Sequence, residues 1–364
     1  MASVAKIPVI DISDDTQDQA QVAKELVEAA IEHGFIYIKN TGKDIPVEDV
    51  DKAFELARKL FKETPIEEKQ ACTIQKNNRG WSAMHYETLD PKNQRVGDLK
   101  EAFNFGEPSP TSPSILQQPL PPSILGDQPF ITHFQSLCYR LSLRLNTLLG
   151  IGLGVSPPDF FTSAHLRENG ASGTILRLLY YPPASSLSDA ATEEDVRAGA
   201  HSDYGSMTLL FRLKGQAGLE IQTREGEWVP VPVCPEGTES DPAPPVLVNI
   251  GDLLSYWTGG LLRSTVHRVV FPGSGGSNGV EGETAEGERY SMAYFCHPVG
   301  TTRLEPVPSE RVRKYTEEQQ KQGKEVINGE KKMLTADEHL HMRLAASYLK
   351  LYEDEKKKWE DLKA

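Results

Sequence analysis

At about residue 173 the hydrophobic period of this chain changes from helical to two, and it stays at two until about residue 297. β-Branched and aromatic residues gather there in short runs, 174–181, 206–213, 218–222, 228–233, 246–250, 262–271 and 289–297, separated by turn-forming residues. Successive side chains of a strand point to opposite faces, so a run of period two reads as a strand. Seven such runs in close succession specify a sandwich or jelly roll. Two segments interrupt them, 236–245 and 272–288, rich in Gly, Pro, Ser and acidic residues, and these read as surface loops.

The flanks read differently. Residues 7–12, IPVIDI, form a short apolar strand. A helix follows over 16–33, with Ala20, Val22, Ala23, Leu26, Val27, Ala30 and Ile31 at helical spacing and Gly34 to end it. Residues 35–38 read as a second strand and 47–62 as a second amphipathic helix. The stretch 77–125 holds little periodicity outside 100–105 and reads as ordered connecting loops. Helical patterns return over 129–150 and 157–168, the first with Phe134, Leu137, Cys138, Leu141, Leu145 and Leu148 along one stripe. After Arg303 the chain turns helical again, at 309–315 and over 335–360, where Lys and Glu clusters read as a solvated face. The pattern predicts one structural unit, mainly β with flanking helices: an N-terminal strand and helix region (1–125), central helices (126–172), a strand-rich core (173–305) and C-terminal helices (306–364).

Charge narrows the function. Lys and Arg number 39 against 52 Asp and Glu, so 39 − 52 = −13, with a pI near 5.3 and no basic run of five or more. That excludes an electrostatic footprint for nucleic acid or for an anionic membrane, and points to a small-molecule partner. No apolar run approaches the ~18 residues of a membrane span. The start, MASVAKIPVIDIS, has neither an apolar signal core nor an Arg-rich amphipathic helix, so a cytoplasmic location is expected. Cys72, Cys138, Cys234 and Cys296 lie far apart with no C-x-x-C pair, which suggests neither a disulfide framework nor a thiolate zinc site. Composition leaves the oligomeric state open.

The reactive side chains fall in the strand-rich half. His201-Ser202-Asp203 sets an imidazole and a carboxylate on one side of an extended segment, within reach of one metal ion. His267 lies in RSTVHRVVF, 267 − 203 = 64 residues later, where another strand of the same barrel would supply a third ligand. Two histidines and one carboxylate are the facial triad of non-haem iron(II), with positions left open. Arg289 and Ser291 follow, 289 − 267 = 22 residues on, sharing a face of the run RYSMAYF. A guanidinium holds a carboxylate through two parallel charge-assisted hydrogen bonds, and a neighbouring hydroxyl adds a third. Such a pair suits the distal carboxylate of 2-oxoglutarate, whose keto acid end would chelate the iron.

In the order H-x-D, then histidine on a later strand, then R-x-S on the next, the sequence resembles the isopenicillin N synthase-like branch of the iron(II)/2-oxoglutarate-dependent dioxygenases. The resemblance extends from about residue 7 to about residue 318 and rests on IPVIDIS, EHGFIYIKNTG, NRGWS, DLKEAFNFG, LRLLYYPP, AGAHSDYGSMTLLF, GLEIQ, VNIGDLL, STVHRVV and RYSMAYF. It implies a double-stranded β-helix (jelly roll, cupin-like) core. It also implies iron(II) at His201, Asp203 and His267, 2-oxoglutarate at Arg289 and Ser291 with Tyr181 near its keto acid end, dioxygen as oxidant and ascorbate as an accessory reductant. The implied reaction oxidises, chiefly hydroxylates, a substrate C–H bond and releases succinate and CO2. Within the branch, LRLL, HxDYGSxTLLF, STVHRVV and RYSxAYFC are similar to fungal enzymes typified by thymine 7-hydroxylase and to fungal dioxygenases of secondary metabolism. That likeness implies substrate contacts from Arg177, Tyr204 and Phe295.

Some readings stay open at this stage. Arg177 either orients a substrate or pairs with a structural carboxylate, and Tyr204 and Phe295 either line the pocket or fill the core. Asn78 and Trp81 either close the pocket or order their own loop. His85, His133 and His165 read as surface or packing residues, Asp337 and His341 as a solvated pair, and His297 as lying past the pocket. Two other functions remain: an iron oxidase of the isopenicillin N synthase kind, which needs no 2-oxoglutarate, and a catalytically silent binding protein on the same barrel.

Overall fold

The computed structural model describes residues 4–13, 18–94, 96–109, 112–183, 196–271, 287–323 and 333–347. The strands are β1 (Val9–Ile10), β2 (Phe35–Ile38), β3 (Gly80–Ser82), β4 (Glu101–Gly106), β5 (Pro108–Ser109), β6 (Ser112–Leu116), β7 (Ile175–Tyr181), β8 (Ala198–His201), β9 (Met207–Arg212), β10 (Leu219–Gln222), β11 (Trp228–Pro230), β12 (Val246–Ile250), β13 (His267–Val269) and β14 (Arg289–Cys296). The helices are α1 (Gln19–Glu32), α2 (Val47–Arg58), α3 (Ile66–Gln70), α4 (Gln128–Gly152), α5 (Phe160–Ala164), α6 (Asp252–Trp257), α7 (Glu310–Lys321) and α8 (Ala336–Ser347). One sheet runs β1-β2-β12-β9-β14-β7-β4-β3, a second runs β11-β10-β13-β8, and β5 pairs with β6. Together the two larger sheets form the jelly-roll core. No described helix is long and apolar enough to cross a membrane.

The alternation in the sequence explains the layering. On β14, Tyr290, Met292, Tyr294 and Cys296 join the main hydrophobic cluster, while Arg289, Ser291, Ala293 and Phe295 face a cavity between the sheets. On β7, Leu176, Leu178 and Tyr180 take the first side and Ile175, Arg177, Leu179 and Tyr181 the second. Helices α2 and α4 cover the outer face of these strands. The apolar stripe of α4 is buried as its spacing predicts, and Phe134 is fully enclosed. Truncating Phe134 to Ala would cost about 3–5 kcal/mol, in lost transfer energy plus a cavity. Helix α1 starts at Asp18, whose carboxylate accepts from Ala20 N at 2.9 Å. It ends at Gly34, where φ is +68° and an added Cβ would stand 2.2 Å from Arg263 O, so the close approach there requires glycine.

Four expectations need correction. The stretch 77–125, expected as connecting loops outside 100–105, also holds β3, β5 and β6, and 101–106 is β4, hydrogen-bonded between β7 and β3 in the larger sheet. The run 262–271 contributes only β13, because 262–266 lack a ladder partner in regular register. The helix expected at 157–168 divides into α5 and a 3-10 turn at Arg167–Asn169. The C-terminal helix is not simply solvated: α8 buries Ala336, His339, Leu340, Leu344 and Ser347, and Leu340 and Leu344 face the cavity. Residues 348–360 of that expected helix, and 272–286 of the second expected loop, lie outside the described residues.

Candidate metal centre and adjoining cavity

Strand β8 ends at His201 and pairs with β13 so that His201 stands directly opposite His267, ring centroids 4.3 Å apart. Asp203 follows in the turn beyond β8, with its Oδ1 3.9 Å from His201 Nε2 and 3.7 Å from His267 Nε2. One ligand atom from each of the three lies within 4.8 Å of the other two. The surroundings fix all three. His201 Nδ1 donates to Gly199 O at 2.7 Å and His267 Nδ1 to Thr265 O at 3.1 Å, which leaves Nε2 of each as the lone-pair nitrogen. Asp203 Oδ2 accepts from Thr208 Oγ1 at 2.6 Å and Asn249 Nδ2 at 2.7 Å, which turns Oδ1 toward the imidazoles. Asp252 N donates to Asp203 O at 2.7 Å and holds the turn closed.

Electrostatics favour the metal-binding protonation states. Burial, and after it the neighbouring His267, push His201 down to about 4. Burial opposes ionisation of Asp203, but His267, His201 and the bonds from Thr208 and Asn249 outweigh it and hold the carboxyl below its usual range. Near neutral pH the site thus offers a neutral imidazole at His201 and an ionised carboxylate, the forms that ligate a cation. Two nitrogens and one carboxylate oxygen on one side of a point suit a first-row divalent ion such as iron(II).

Arg289 and Ser291 reach the same cavity from β14. Arg289 Nη1 donates to Ser291 Oγ at 3.3 Å, and both residues are buried. The guanidinium lies 4.9 Å from the centre of the Tyr181 ring, which stands opposite it in the β7–β14 ladder. The cavity, about 110 Å³, therefore joins a metal-type donor set to a carboxylate-type receptor.

Its remaining wall is partly as predicted. Arg177 faces the cavity and also pairs with a carboxylate, with Nη2 3.0 Å from Glu87 Oε1 and Nε donating to Asn104 Oδ1 at 2.7 Å. Its guanidinium lies 5.5 Å from the Phe295 ring centre. Asn104 Nδ2 donates to Asn78 O at 2.9 Å and to Asn78 Oδ1 at 3.0 Å, so Asn78 lines the cavity from its own turn. Tyr204 also lines the wall, and its hydroxyl bonds Ser347 of α8. Trp81 does not join them: its Nε1 donates to Glu101 Oε1 at 2.6 Å, and the ring belongs to the main core. His297, expected past the pocket, instead lines it, because the inward alternation of β14 continues one step beyond the strand. Glu87, Lys100, His297, Leu340 and Leu344 are among the cavity residues that sequence reasoning missed. His133 is exposed and lies 3.1 Å from Asp49 Oδ2, His85 and His341 are exposed, and His165 is a buried packing residue. Asp337 N donates to Gly300 O at 3.0 Å.

Residues 7–126 match the family described as non-haem dioxygenase in morphine synthesis N-terminal, and residues 172–298 match the 2OG-Fe(II) oxygenase superfamily. The UPF0676 protein C1494.01 of Schizosaccharomyces pombe is 38% identical over 316 residues, 85% of this chain and 87% of that protein. The 2-oxoglutarate-dependent dioxygenase htyE of Aspergillus rugulosus is 30% identical over 307 residues, 80% of this chain and 86% of that one. The crystal structure of full-length Neurospora crassa thymine 7-hydroxylase in complex with alpha-KG and thymine aligns with a TM-score of 0.70 at 28% identity, over 95% of this chain and 99% of that one.

Proposed function

The chain belongs to the 2OG-Fe(II) oxygenase superfamily and is a 2-oxoglutarate-dependent dioxygenase that uses iron(II), 2-oxoglutarate and dioxygen, and on that premise we propose that it oxidises, chiefly hydroxylates, a C–H bond of a small molecule. The observation that carries this reading is one buried cavity holding both the His201-Asp203-His267 cluster and the Arg289-Ser291 pair. His201, Asp203 and His267 would hold the metal. Arg289 and Ser291 would grip the distal carboxylate of the co-substrate, with Tyr181 flanking the guanidinium. Dioxygen is the oxidant, which bound iron and 2-oxoglutarate would activate: the keto acid would give up two electrons and take one oxygen atom, leaving as succinate and CO2, and the other oxygen atom would enter the substrate. The protein's own work is to place one C–H bond beside the metal and to exclude water. Arg177, Tyr204, Phe295 and Asn78 would position the substrate, and Leu340 and Leu344 of α8 cover it. We assign the reaction to fungal-type secondary metabolism, in the company of htyE.

A nucleobase substrate is the second reading. It is favoured by the thymine complex of the Neurospora crassa enzyme and by the Phe295 ring in the cavity wall, which offers an aromatic surface to a planar ring. The test is incubation with iron(II), 2-oxoglutarate, dioxygen and a substrate panel that begins with nucleobases, measuring succinate and a product one oxygen heavier. Product formed without 2-oxoglutarate would favour the oxidase alternative, and failure to bind iron(II) would favour a silent barrel.

A further inference from the structure

The substrate end of the cavity is walled by charges that cancel. Glu87 takes Arg177 at 3.0 Å on Oε1, and on Oε2 it takes Lys100 Nζ at 2.8 Å. Lys100 also pairs with Asp98. The side chains of Glu87, Lys100 and Asp98 are 2%, 4% and 0% exposed, so solvent neutralises none of them. Two cations thus meet two carboxylates. The balance is built into the frame, because Asp98 Oδ1 accepts from Gly199 N at 3.1 Å and from Gln94 Nε2 at 2.7 Å. Gly199 O in turn takes the Nδ1 proton of His201. The lining also holds the polar groups Asn78, Ser202, Tyr204, Thr208, Asn249 and His297, and burial, with His339 and His165 nearby, drives His297 down to about 3. Among the described residues, no uncompensated charge faces the substrate end.

An ionised substrate would leave water here without gaining a counter-ion. A carboxylate would compete with Glu87 for Arg177 and would meet Glu87 at like charge, while Asp98 already compensates Lys100 from behind the wall. A neutral edge faces no such conflict: Asn78, Tyr204 and His297 offer donors and acceptors, and Phe295, Leu340 and Leu344 offer apolar surface. We propose that the site, on the functional reading above, takes an uncharged substrate with an apolar or planar body and an amide-like hydrogen-bonding edge. Glu87 sets that preference by neutralising Arg177 and Lys100.

The test uses the full chain loaded anaerobically with iron(II) and 2-oxoglutarate, and two probes of one shape, benzamide and benzoate. Affinities are read by calorimetry and by the shift each probe causes in the visible band of the iron–2-oxoglutarate complex. Wild type should bind benzamide about tenfold or more tighter than benzoate. Glu87→Gln should reverse the order, since Arg177 and Lys100 then share only Asp98. Removing a buried charge can unfold a chain, so Glu87→Gln combined with Arg177→Gln is the second variant: it restores neutrality and should return the preference to benzamide. Benzoate binding to wild type as tightly as benzamide, or an unchanged ratio in Glu87→Gln, overturns the proposal. Absence of the band before any probe is added contradicts the functional reading instead, so the two failures are distinct.

Discussion

His201 and His267 face each other across the β8–β13 pair, and each donates its Nδ1 proton to the carbonyl two residues before it, Gly199 O at 2.7 Å and Thr265 O at 3.1 Å. A carbonyl only accepts, so both tautomers are fixed and both Nε2 lone pairs are directed at one point. Asp203 is aimed by the same logic, through donors on its far oxygen. Removing one of them, by Asn249→Ala, leaves the bond from Thr208 in place and is expected to weaken divalent metal binding about tenfold. Titration with iron(II) or cobalt(II) measures this. An unchanged affinity would mean that the hydrogen bond on the far oxygen does not aim the ligand.

Helix α8 is tied to the metal turn. Arg343 Nη2 stands 2.5 Å from Asp252 Oδ2, which also accepts from Ser202 Oγ at 3.0 Å, and Ser202 lies between His201 and Asp203. Because the arginine is more than a third exposed, the pair contributes under about 1 kcal/mol. Arg343→Ala should therefore speed hydrogen exchange over 336–347 by up to about fivefold without unfolding the core. Exchange at the wild-type rate would show that the Arg343–Asp252 pair does not help to hold the helix, leaving that to Leu340, Leu344 and the Tyr204–Ser347 bond.

Buried histidines make the metal-free fold sensitive to acid. His165 Nδ1 donates to Phe161 O at 2.6 Å and its Nε2 lies 2.8 Å from Ser206 Oγ, with the ring enclosed on all sides. Burial pushes it down to about 4 from the usual 6.5. Between those values the unfolded chain binds a proton that the folded chain refuses, so stability falls as pH drops from 6.5 toward 4 and gains nothing from this group above 6.5. Thermal unfolding between about pH 7 and about pH 4.5 should show that decline, and His165→Gln should make it shallower. A melting temperature independent of pH over this range would refute the assignment.

The strand alternation of β14 is readable because its two faces differ in kind: aromatic and sulfur side chains outward, Arg, Ser, Ala and Phe inward. The candidate metal set and the Arg289-Ser291 pair are readable because H-x-D, the lone histidine of RSTVHRVVF and R-x-S are compact motifs in the strand-rich half. Strand β8 is not, since Ala-Gly-Ala-His carries no hydrophobic period. The charges of Glu87 and Lys100 suggest surface; they are buried because Glu87 pairs with Lys100 and with Arg177, 177 − 87 = 90 residues along the chain, and Lys100 pairs also with Asp98. In α8 a stripe at Ala336, Leu340, Leu344 and Ser347 is present at helical spacing, but the surrounding Lys and Glu mask it. His297 escapes a reading that ends the alternation where the strand ends.

The central claim is that one cavity binds iron through His201, Asp203 and His267 and grips 2-oxoglutarate through Arg289. Its most direct test is anaerobic titration of the metal-free protein with iron(II) and then 2-oxoglutarate, in wild type and in Arg289→Ala, following the weak visible charge-transfer band of an iron-bound keto acid. The band should appear in wild type, and the variant should need about a hundredfold more 2-oxoglutarate, as expected for loss of a buried charge-assisted carboxylate contact. Iron binding with no band, or a variant that titrates like wild type, would contradict the account.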